Sequence, residues 1–139
     1  SAIPKMQPNP RIVGAEIDAP VAEQCTQRIP SAKIINCDSF SSREIILPGG
    51  WDLVITNPPY VRYQLQKDKH SIMPSSTKIR SNLCKQISKM SHLSRSDKAM
   101  FLRLARNYSG LSDMAVPSWL LCASLISEKG ILAIKMIRV

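Results

Sequence analysis

Asn57, Pro58, Pro59 and Tyr60 follow directly on the apolar run Leu53-Val54-Ile55. Asn57 and Pro58 each precede a proline, which pushes their backbone toward extended conformations, and neither proline has an N–H to give to a ladder. The four residues therefore form a stiff tip that offers a side-chain amide, carbonyls without a ladder partner and an aromatic ring. A planar amino group fits that set. The Asn57 side-chain oxygen and the Pro58 carbonyl can accept its two N–H bonds while Tyr60 stacks on the ring that carries it. The same tetrapeptide is equally a rigid turn that closes a strand, and taken alone it does not separate the two readings.

Two acids stand at other strand ends. Residues 11–17 read as a strand that ends on the acids Glu16 and Asp18, and residues 33–38 as one finishing on Asp38. A carboxylate in such a place in a nucleotide-binding sheet accepts hydrogen bonds from ribose hydroxyls, which makes Glu16 the candidate. Each acid by itself is as well explained as a loop residue capping a helix.

The elements that must position these groups are legible from their punctuation. Asp18 or Ala19 caps a helix that has Pro20 in its first turn, runs to Arg28 and stops before Pro30. The turn Pro48-Gly49-Gly50 leads into the strand that carries the tip, whose β-branched run predicts burial on both faces of a parallel sheet. Ile79, Leu83, Gln86, Ile87 and Met90 recur at helical spacing, with Lys78, Lys85 and Lys89 on another face. Ser94 with Asp97 makes a capping box for a further helix, predicted to bury Met100, Phe101, Leu104, Ala105 and Tyr108. An apolar helix over residues 117–126 is expected to close at Glu128-Lys129-Gly130, with Gly130 as the left-handed residue, before a strand over 131–137. Strand, helix, strand, strand-with-tip is the order of a doubly wound α/β sheet.

Charge is distributed unevenly. The chain has 139 residues and a net charge of +9. Residues 61–110 hold eleven Lys or Arg, among them Arg62, Lys78, Lys85 and Lys89, against Asp68 and Asp97, so this one segment carries the whole excess. It follows immediately on the tip, where a polyanion would be held; the alternative is a solvated, charge-rich insertion that aids solubility. Cys25, Cys37, Cys84 and Cys122 are far apart, and neither His70 nor His92 has neighbours at ligand spacing, so free thiols and no metal are expected. With 44% hydrophobic residues, no apolar run of membrane-spanning length and no signal-peptide core at the start, the sequence reads as one soluble, cytoplasmic domain without membrane contact.

With these residues in view the chain resembles the S-adenosylmethionine-dependent amino-group methyltransferases, and most closely the N6-adenine DNA methyltransferases of restriction-modification systems. The resemblance covers residues 11–63 and 111–136, and Asn57-Pro58-Pro59-Tyr60 is its most specific part. It implies a partial Rossmann-like sheet, mostly parallel, forming a single partial domain over 1–139 with a basic helical insertion at 61–114. It implies S-adenosyl-L-methionine as cofactor, with Glu16 and Ile17 at its ribose and Asp38 at its adenine amino group. Phe40, separated from Asp38 by Ser39, matches the residue that packs on the adenine, and Asn57 adjoins the cofactor as well as the substrate. Catalysis falls to Asn57, Pro58, Pro59 and Tyr60 acting on an adenine flipped out of duplex DNA, with Arg62, Lys78, Lys85 and Lys89 on the nucleic acid.

The glycine-rich loop that would precede Glu16 by about 20 residues is not in the sequence, and neither are the first strand and the closing strands of that fold. The expectation is an internal fragment of a larger methyltransferase, or one part of a split enzyme, inactive by itself and completed by the rest of the chain or a partner subunit. Related enzymes with the same tetrapeptide methylate RNA or protein glutamine. A non-catalytic nucleic-acid-binding module is the reading from a different class.

Overall fold

The computed structural model describes residues 9–58, 75–108 and 115–135 of a mixed α/β chain. Pro59, Tyr60 and Arg62 lie outside them. The chain divides into two units, Ser1–Ile45 and Ile46–Val139, and each contains one pair of parallel strands.

In the first unit β1 (Ile12–Glu16) pairs in parallel with β2 (Ala32–Asn36), and α1 (Ala19–Arg28) connects them. The helix starts where its first orphan amides find an acceptor: Asp18 Oδ1 takes the Val21 N–H at 3.0 Å, and Pro20 sits in the first turn. It ends at Ile29, whose N–H reaches the Cys25 carbonyl at 2.9 Å; Pro30 follows, with no N–H to prolong the ladder. Register sets Glu16 opposite Asn36, so both strands finish at the same edge. Asn36 fastens that edge by donating from Nδ2 to the carbonyls of Glu16 and Ile17.

The second unit holds β3 (Trp51–Thr56), α2 (Ser76–Lys89), α3 (Arg95–Asn107), α4 (Ala115–Leu125) and β4 (Ile126–Ile134). Ser75 caps α2 and Ser94 caps α3, where the serine oxygen accepts the Asp97 N–H at 3.1 Å. Ile79, Leu83 and Ile87 of α2, with Met90 just beyond it, are fully buried and meet Ala105 of α3 and Leu121 and Leu125 of α4 in one core. Truncating a side chain such as Leu83 to Ala in such a setting costs about 2–5 kcal/mol. Arg80 is drawn into this packing rather than left on the surface. Its Nη2 donates to the Tyr108 carbonyl at 2.9 Å and its guanidinium lies 4.9 Å from the centre of the Tyr108 ring, which ties α2 to the end of α3.

β3 and β4 run parallel, with Leu53 opposite Ile131 and Thr56 opposite Ile134. Several expectations are corrected in this unit. Leu53 and Ile55 are not buried on both sides: they are 52% and 73% exposed, and their neighbour Ile131 is 64% exposed, because no described element covers that face of the strand pair. The last helix stops at Leu125, three residues before Glu128, and β4 begins at once with an irregular register between Trp51 and Leu53.

Gly130 has no positive φ and does not cap the helix; its missing Cβ matters because one would stand 2.5 Å from the Trp51 carbonyl and against Ile126 Cγ2. Among the described residues the left-handed glycine is Gly50, at φ 76°, beside His92 and the Ser127 backbone. In α3 the buried side is also narrower than its apolar spacing predicts. Ala105 is buried and Phe101 and Tyr108 are half-buried, while Met100 and Leu104 are exposed.

Candidate functional site at the strand ends

The predicted site residues fall into two groups, one in each unit. In the first unit parallel pairing brings Glu16 and Asp38 to the same edge, and the Cys37 N–H donates to the Glu16 carbonyl at 2.9 Å. Each carboxylate has one oxygen engaged locally. Glu16 Oε1 accepts the Asp18 N–H at 2.9 Å, and Asp38 Oδ1 accepts the Phe40 N–H at 2.9 Å. A carboxylate has about four lone-pair sites, so both acids keep acceptor capacity for hydroxyl or amino donors. Ile17 is exposed next to Glu16 and offers a small apolar surface, whereas Phe40 is only 5% exposed, so its ring is not open to pack on a ligand as expected.

In the second unit Asn57 and Pro58 follow the last residue of β3. Asn57 is exposed and makes no side-chain hydrogen bond with a described residue; Pro58 is buried. The Thr56 carbonyl accepts the Lys135 N–H at 3.0 Å. Burial pushes the Cys122 thiol of α4 up. Neither Thr56 nor Cys122 stands out in the sequence. Their only signal is that Thr56 directly precedes the tip.

Lys78, Lys85 and Lys89 project from one exposed face of α2. They lie opposite no acid on that helix, which has none in its first turn and whose sequence contains no Asp or Glu. Seven- and four-residue steps place the three ammonium groups in a row spanning about 16 Å at 1.5 Å per residue. Such a row can follow a polyanionic backbone. Among the described residues no three His, Cys, Asp or Glu side chains converge as a metal site, and no helix is long and apolar enough to cross a membrane.

The arrangement offers acceptors at two strand ends, the partly free carboxylates of Glu16 and Asp38 and the Asn57 amide, which has no partner among the described residues, and a cationic face on α2 that donates to anions. Compared with protein families, curated proteins and solved structures, the chain matches none.

Proposed function

We propose that this chain is part of an S-adenosylmethionine-dependent methyltransferase that acts on the N6 amino group of adenine in DNA. The observation that carries the reading is the exposed Asn57 amide, without a partner among the described residues, directly after β3, in a chain whose other parallel pair ends at Glu16 with Asp38 two residues past β2. The strand pairing adds support. In a Rossmann-like sheet of this family one central strand separates the counterparts of β1 and β3, so residues lacking that strand form two parallel pairs instead of one sheet, and β1–β2 and β3–β4 are such pairs.

Glu16 and Ile17 would hold the ribose of the cofactor and Asp38 its adenine amino group; their remaining acceptor capacity fits those donors. Bound there, the cofactor supplies an electrophilic methyl group on its sulfonium. The chain's own contribution is orientation. Asn57 and Pro58 accept from the adenine amine, whose lone pair is otherwise delocalised into the ring, and turn it toward the incoming methyl. Tyr60 stacks on the flipped base and α2 holds the phosphates. The glycine-rich loop for the cofactor's methionine half would come from a strand outside these residues, in a longer chain or a partner subunit, in a soluble cytoplasmic enzyme of the restriction-modification type.

Transfer of labelled methyl groups to duplex DNA, to structured RNA and to protein, compared in parallel, tests the substrate assignment. Incorporation into DNA alone is the expected result. The exposed lysine row of α2 is independent of any cofactor and favours one second reading, a nucleic-acid-binding module without catalysis; DNA binding with no incorporation in any form of the protein would select it.

A further inference from the structure

Glu16 is held through both its backbone and its side chain. Its carbonyl accepts the Cys37 N–H at 2.9 Å and Asn36 Nδ2 at 2.9 Å, and its carboxylate Oε1 accepts the Asp18 N–H at 2.9 Å. Asn36 Nδ2 also donates to the Ile17 carbonyl at 3.1 Å. Both partners of Nδ2 are carbonyl oxygens, so only the nitrogen of the side-chain amide can face them, and both of its N–H groups are spent there. Ile17 lies past the last rung of the β1–β2 register, and the bond from Asn36 continues the pairing by one residue.

The Ile17 carbonyl and the Asp18 N–H belong to one peptide group. Such a group is planar, and in its trans form the C=O and the N–H point in opposite directions. Asn36, by holding the oxygen, therefore fixes the direction of the same N–H that engages Glu16 Oε1. We infer that Asn36 is a positioning residue for the Glu16 carboxylate: by orienting the Ile17–Asp18 peptide it keeps Oε1 engaged and leaves Oε2, which has no partner among the described residues, presented to the ribose hydroxyls. This role rests on the reading of Glu16 as the ribose acceptor.

The test compares adenosine with its dideoxy analogue, which lacks the vicinal ribose hydroxyls, by amide chemical shifts on the full chain. Asn36→Ala and Asn36→Leu differ in bulk but share the loss of both N–H groups. Each is expected to weaken adenosine about three- to tenfold, the scale of one hydrogen bond, and to leave the dideoxy analogue unchanged. Without ligand, the Asp18 amide proton should move upfield as its bond to Oε1 is released. Added to Glu16→Gln, neither substitution should weaken adenosine further, because both act through that carboxylate. Equal weakening of the two nucleosides, additive loss in the Glu16→Gln background or an unshifted Asp18 amide would each overturn the role of Asn36. Adenosine binding that survives in both variants at the parent's affinity would do the same and leave the cofactor reading standing. A parent that showed no adenosine shifts at Glu16, Ile17 and Asp38 would refute that reading and this role together.

Discussion

Replacing Lys78, Lys85 and Lys89 together by Gln removes three positive charges from one exposed face of α2 without touching its buried side, which is built from Ile79, Leu83, Gln86 and Ile87. Gln has nearly the helix propensity of Lys, so α2 should persist. Each phosphate contact on duplex DNA adds about 0.9 to the slope of log affinity against log salt, and about 0.7 on a single strand. Loss of all three contacts should flatten the slope by about 2.7 for duplex and about 2 for single-stranded DNA. Between 50 and 200 mM salt, a slope change of 2.7 is about a 40-fold smaller drop in affinity. Fluorescence anisotropy of a labelled duplex at several salt concentrations reads this directly, with circular dichroism to confirm that α2 is intact. A slope unchanged within about half a unit would mean that the lysine row is a solvated face and that the nucleic acid, if bound, lies elsewhere.

Three more outcomes follow from named contacts. In the methylating form of the protein, Asn57→Ala should lower the rate about 10²-fold or more, as loss of a transition-state hydrogen bond does; a rate within about tenfold of the parent would remove Asn57 from catalysis. Gly130→Ala sets a Cβ against the Trp51 carbonyl and should lower stability by about 1–3 kcal/mol in urea denaturation, whereas Gly49→Ala, which meets nothing within 4 Å, should be close to neutral; equal midpoints would refute the close-approach account of Gly130. Because the folded Cys122 thiol is raised, both states stay protonated below the ordinary thiol range of about 8.5 and its contribution to stability is intact there. As pH rises above that range the unfolded chain ionises first and stability falls. Denaturation midpoints on the two sides of that range should therefore diverge more in the parent than in Cys122→Ala, and identical pH dependence would contradict the shift.

The local signals were readable in the sequence and the non-local ones were not. Asp18 and Ser94 are caps because their side chains reach amides three residues on, a relation that spacing alone reveals. The buried face of α2 is likewise a matter of period, and Ile79, Leu83 and Ile87 lie on it. Leu53-Val54-Ile55 reads as doubly buried because its residues suit a parallel sheet, but whether a face is covered depends on which elements pack there. Gly130 follows a Glu-Lys pair that resembles a helix end, yet what demands a glycine is the carbonyl of Trp51, far back in the chain. Met100 and Leu104 have the apolar character and spacing of a core stripe, but α3 turns Ala105 inward and leaves them out. The acids at the candidate site show both roles at once: Glu16 and Asp38 each bond a loop amide, as capping would require, and each retains acceptor capacity.

The claim at the centre of the account is that Glu16, Ile17 and Asp38 form the ribose and adenine end of a cofactor site whose methionine end is supplied elsewhere. Titration of the isotope-labelled chain with S-adenosylmethionine, followed by amide chemical shifts, tests it most directly. Two carboxylate anchors without the glycine loop should bind no better than about millimolar, which is about 4 kcal/mol. The shifts should concentrate at Glu16, Ile17 and Asp38, respond equally to adenosine, and weaken in Glu16→Gln. Micromolar binding would contradict the account of the absent loop, and shifts confined to α2, or none up to tens of millimolar, would contradict the cofactor site itself.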